Sequence, residues 1–186
     1  MTLAKASLCF VIAMISVMPI ELQAQTILTP DGYTRQVGAL VSMMEDLKSR
    51  ITRSVINLDQ EATDFLLDDQ ANRIGALILH LAATEKYYQV YTFENRGFNR
   101  SENMWDRALN LGDDARSEFV GRPISYYLKL WDDVRDQTKI LLQSRDDEWL
   151  DQKVSNSGMN NHWAWYHVME HQANHMGQIR LITKRI

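Results

Sequence analysis

Cysteine is all but missing from this chain. Cys9 is the only one among 186 residues, and it sits inside an N-terminal apolar run. The remainder offers no disulfide, no thiolate nucleophile and no thiolate ligand, so any metal must be held by nitrogen and oxygen. Three prolines and eight glycines are too few for a fold built on many tight turns. No basic run stands out against a net charge of −4, which leaves nothing for a nucleic-acid backbone to bind. The acidic clusters Asp68-Asp69, Asp113-Asp114 and Asp146-Asp147-Glu148 lack the spacing of a calcium loop and read as solvated turns and helix ends. A long hydrophobic run is missing too. The longest, Ala6 to Ile20, stops at Glu21 and is too short to cross a bilayer comfortably.

That run does have the marks of an export signal. Lys5 precedes it, and Leu22-Gln23-Ala24 before Gln25 offers a small residue at a cut. Residues 1–24 are therefore expected to be a signal peptide, with residues 25–186 forming a domain in the periplasm or outside the cell. Leu22 is larger than the residue usual at its position, so the cut is placed only to within a few residues. Losing Lys5 and Glu21 leaves 19 basic and 23 acidic residues, and the net charge stays at −4. Roughly 160 residues are the size of one domain with a sizeable core. No internal repeat, low-complexity tract or further membrane span interrupts them.

Apolar residues recur at intervals of three and four, which predicts an all-α domain. Val37, Leu40, Val41, Met44, Leu47, Ile51, Val55 and Leu58 make one stripe. Ile74, Leu77, Ile78, Leu81, Tyr88 and Tyr91 make a second, and Tyr127, Leu130, Trp131, Val134, Thr138 and Leu141 a third, with Pro123 at its start. A fourth helix is predicted from about Asn161 to Lys184. Between Gly97 and Gly121 lies an extended connection with one short helix around Met104 to Leu109. Four long helices with one long crossover make a four-helix bundle.

The stretch "HVMEHQANHMGQIR" then places His167, His171 and His175 at intervals of four on the last helix. With about 100° per residue, and with Trp165, Val168, Met169, Met176 and Ile179 taken as the core face, His175 lies at its edge. His171 and His167 lie about 40° and 80° further round, so exposure is expected to rise in that order. His80 sits at the edge of the second stripe in the same way. Two imidazoles one turn apart and a third from a neighbouring helix can share one divalent ion and leave a position open, the pattern of a catalytic site. A histidine beside apolar residues is equally a hydrogen-bonded core residue, and spacing alone leaves both readings standing. Three imidazoles prefer copper over nickel or zinc by intrinsic affinity, and availability decides among them.

The segments "RIGALILHLAATEKYY" and "HVMEHQANHMGQI" together resemble the DinB-like family, across nearly all of the chain from about Asp31 to Ile186. The resemblance implies a four-helix bundle with a long crossover, often dimeric, that binds zinc, nickel or a similar divalent ion. Carried over residue by residue, it implies His80, His171 and His175 as ligands, and Gly177 and Gln178 match as well. The chain departs from the pattern at Asn174, where a further His is common, and at Met176, where Arg is common. Relatives of this type include transferases and isomerases that use low-molecular-weight thiols, and hydrolase-like members.

These readings converge on an exported metal-dependent enzyme of hydrolase or transferase type acting on an unidentified small molecule. The alternative is a non-catalytic envelope protein that captures a metal or small ligand. Glu85 and Glu170 are the acidic residues nearest the histidines in sequence and thus the candidate general bases. Glu85 falls one turn beyond Leu81, toward the core, whereas Glu170 is about 100° round from His171 and expected in solvent. Tyr87, Tyr88, Tyr91, Trp163 and Trp165 read as core and rim aromatics of the bundle, with pocket lining as the second reading.

Overall fold

The computed structural model describes residues 26–155 and 157–186, so the expected export signal lies outside the described residues. In chain order the helices are α1 Arg35–Val55, α2 Gln60–Asp64, α3 Ile74–Phe93, α4 Asn103–Asn110, α5 Gly112–Glu118, α6 Ile124–Gln143, α7 Asp147–Asp151 and α8 Asn161–Thr183. Among the described residues no strand forms. Lys153 and Asn160 make one isolated bridge. The four long helices close a ring in which α1 and α3 each pack against both α6 and α8. This is the expected all-α four-helix bundle. No helix among the described residues is long and apolar enough to cross a membrane.

The apolar stripe of α1 is buried as its periodicity requires, from Val37 through Met44 and Ile51 to Val55. The stripe of α6 is buried at Tyr127, Trp131, Val134 and Thr138 as expected, whereas α3 and α8 depart from theirs. From Ile74 to Glu85, α3 is buried on every side, because α2, α4, α6 and α8 all pack against it. Gly75 makes part of that packing possible: a Cβ there would come 2.5 Å from the ring of the fully buried Tyr127 on α6. On α8 the buried seam runs through Trp165, Val168, Gln172 and Ile179, while Met169 and Met176 are only half-buried. The core face of this helix is therefore rotated toward Gln172, for a reason given below.

The crossover between α3 and α6 holds two helices where one was expected. Leu111 and Gly112, both at positive φ (55° and 76°), break the line between α4 and α5, and the polar "GDDARSE" of α5 carries no apolar period. Helices α2 and α7 have five residues each, too few to show a period, and begin at Asp59 and Asp146, whose side chains cap them. Asp147 does more than solvate a turn. Its Oδ1 accepts from the N–H groups of Gln36 and Val37 and from the Thr34 hydroxyl, capping α1 from a distance of 110 residues in sequence.

Candidate metal centre

His80 stands seven residues into α3, and His171 and His175 face it from α8. The chelating atoms of the three rings lie within 4.8 Å of one another. His80 is 7 % exposed, and the other two are half-buried. Two of the rings are oriented from behind. Nδ1 of His80 donates to the carbonyl of Ala108 on α4 at 2.9 Å, and Nδ1 of His175 donates to Oε1 of Gln178 at 3.0 Å. Each bond fixes the tautomer and leaves Nε2 as a base toward the cluster.

Nε2 of His80 then meets Nε2 of His171 at 2.8 Å, a distance at which two bases must share a proton or face one positive charge. Burial resists the proton. It is the main reason the His80 imidazolium is pushed down to about 4 and that of His171 to about 3, and the other histidines of the cluster add to the shift. His175 is lowered by burial as well, with the Gln178 bond opposing. Three neutral imidazole donors, two of them held by outer hydrogen bonds, suit a borderline divalent ion such as zinc or nickel. The residues fit the group, and the half-buried rings of His171 and His175 keep one side of the cluster in reach of solvent.

The carboxylates are engaged elsewhere. Glu85 is fully buried and receives a bidentate ion pair from Arg135, through Nε at 2.7 Å and Nη2 at 2.9 Å. The Thr138 hydroxyl, Trp131 Nε1 and Gln172 Nε2 also donate to it. Burial pushes its carboxyl up, but the Arg135 charge and these hydrogen bonds outweigh burial and hold it below the usual carboxylate range. Glu170 accepts from Nδ1 of His167 at 2.8 Å and from Asn174 at 2.6 Å, so it serves the neighbouring histidine. Of the two candidate bases, then, Glu85 is a structural anion and Glu170 belongs to His167.

His167, expected to be the most exposed of the three, keeps 30 % of its side-chain surface open. Its ring is covered by Trp163, stacked at 5.1 Å, and by Tyr88 at 5.8 Å, so it is half-buried like His171 and His175. Arg135 and Gln172 were missed in the sequence, although each left a mark there: each falls four positions after a core residue, Trp131 or Val168, and interrupts an apolar stripe.

Comparison with known proteins now adds to the geometry. No curated protein matches the chain. A family model described as mycothiol-S-transferase matches residues 39–186, a span that includes both histidine-bearing helices and the crossover. With that match over most of its length, the chain belongs to the mycothiol-S-transferase family, of DinB-like type.

Proposed function

We propose that this protein is a metal-dependent transferase that joins a low-molecular-weight thiol to a small electrophile, with His80, His171 and His175 holding a zinc or nickel ion. The observation that carries the reading is the convergence of three neutral imidazoles, oriented by Ala108 and Gln178, on the half-buried side of the α3–α8 seam. Such an ion, when bound, withdraws the proton of a coordinating thiol and supplies the thiolate. The family match supports the same class of reaction.

The family match favours thiol transfer over hydrolysis. Glu85 and Glu170 are both engaged elsewhere, so neither serves the site as a general base. A thiol held by such an ion would pass its proton to solvent. The protein's part is to hold the ligands, keep the core side of the site dry through α3, and leave the α8 side open for the electrophile.

Export belongs to the same proposal and rests on the apolar run from Ala6 to Ile20. It requires a thiol present outside the cytoplasm. N-terminal sequencing of the protein recovered from the envelope or medium tests it, and an intact Met1 on that fraction would end it. Pairing of two copies rests on the resemblance to DinB-like proteins. Sedimentation of the purified chain decides that point.

Elemental analysis of wild type and His171→Ala, followed by reaction of N-acetylcysteine with monobromobimane, tests the transferase reading. The expected result is about one equivalent of transition metal and accelerated thioether formation in wild type, with both lost in the variant. Bound metal without acceleration for any thiol would leave the ligand-capturing alternative. Absence of tight metal binding would end the transferase reading and leave only capture of a small ligand without metal.

A further inference from the structure

The rings that begin at the histidine cluster continue beyond it. His171 abuts His167 with centroids 5.4 Å apart, and His167 lies against Trp163 at 5.1 Å with only 10° between the ring planes. These three residues recur every fourth position on α8, so the row extends about 12 Å from the cluster. At its far end Trp163 lines a cavity of about 570 Å³ together with Asp151, Lys153, Met159 and Asn160. Beside this cavity Val154 N–H donates to Met159 O and Asn161 N–H donates to Gln152 O, both at 3.0 Å.

A tryptophan serving only the core would turn inward, as Trp165 does at 0 % exposure. Trp163, two residues earlier, is 46 % exposed. The His167 side chain keeps 30 % of its surface open, so the row has an accessible edge between the cavity and the cluster. Asp151 and Lys153 make no ion pair among the described residues, which gives the cavity one acidic and one basic group to meet polar substituents. An aromatic surface with a polar rim recognises a ring bearing hydrogen-bonding groups.

We propose that this cavity is the subsite for the non-reacting end of the thiol: the sulphur sits at the histidine cluster and a ring stacks on Trp163, about 12 Å away. The proposal rests on the transferase reading above and narrows its substrate to ring-bearing thiols of that reach. Trp163 is then a specificity residue, and His167 the surface along which the linker lies.

Calorimetric titration of the zinc-loaded protein with two thiols tests the idea. One is N-(mercaptoacetyl)-β-alanine anilide, whose extended length brings its ring to the cavity, and the other is the corresponding methylamide. The anilide is expected to bind roughly fivefold more tightly to wild type, the scale of one aromatic stack. That preference should vanish in Trp163→Ala and persist in Trp163→Phe, with zinc content equal in all three. Equal affinities in wild type, or a preference that survives in Trp163→Ala, would overturn the subsite. Failure of both thiols to bind zinc-loaded wild type would instead overturn the transferase reading, and the subsite with it.

Discussion

His80 of the bundle core is oriented by Ala108 of the crossover: its Nδ1 donates to that carbonyl across 2.9 Å. The long connection is thus part of the site, because α4 packs against α3 and sets the tautomer of one of its histidines. Gln178 does the same for His175 from within α8, one turn along. Removing such an outer partner usually costs a metal site 10–100-fold in affinity. Gln178→Ala should therefore weaken zinc binding by roughly 10–100-fold with helical content unchanged. Competition against a chromophoric chelator measures it, and a loss below about twofold would mean that His175 does not depend on Gln178.

Glu85 and Arg135 are paired inside the core, both almost fully buried. The pair joins α3 to α6, Gln172 adds α8, and a further bond from Arg135 Nη1 to Glu45 at 2.8 Å adds α1. Breaking a buried pair from one side strands a charge in the core, at a cost of about 3–5 kcal/mol. Arg135→Met should lose about that much stability in urea unfolding. Replacing both residues with methionine should recover most of it, because the desolvation cost disappears with the charges. A loss near zero in the single variant would show that Glu85 finds water or another cation.

The long helices were legible because each repeats its apolar residues over five turns or more, and α2, α5 and α7 were not because they have five to seven residues. The histidine cluster was legible for the same reason, since a helical angle places His171 and His175 on one edge. The network was legible only in part. Glu85, Arg135 and Gln172 each stand four residues after a core position, in Leu81, Trp131 and Val168, yet their mutual satisfaction depends on how three helices meet. Taking Met169 and Met176 as core residues followed from assuming that the seam of α8 is apolar. Gln172 shows that it is not. The role of Ala108 could not be read at all, because a backbone carbonyl has no signature in the side-chain sequence.

Gly75 supports a prediction about packing. Alanine there would gain helix propensity, about 1 kcal/mol, but its Cβ would stand 2.5 Å from the Tyr127 ring. Tyr127 is fully buried and cannot swing away. Overpacking of this kind costs about 1–3 kcal/mol, so Gly75→Ala should be net destabilising by about 1 kcal/mol. Tyr127→Leu in the same background should return the loss, because a smaller side chain makes room for the methyl group. A stabilised single variant in chemical denaturation would mean that α3 and α6 move apart freely.

The histidine cluster also sets how the metal-free protein responds to acid. In the unfolded chain each histidine takes up a proton near pH 6.5, whereas in the folded protein His80 waits until about 4 and His171 until about 3. Between those limits the unfolded state binds more protons, so stability rises with pH across the window and falls as pH drops through it. The contribution is fully present above about 6.5. Glu85, whose folded value lies below the usual carboxylate range, acts in the same direction at lower pH. Chelator-treated protein should therefore begin to lose stability below about pH 6.5, before the carboxylates titrate. Urea midpoints at pH 7.5, 6.0 and 5.0 measure this, with His80→Gln/His171→Gln expected to flatten the slope. A wild-type midpoint unchanged down to pH 5.0 would show that the cluster accepts protons as readily as free histidine, and that the three rings are not held together as neutral bases.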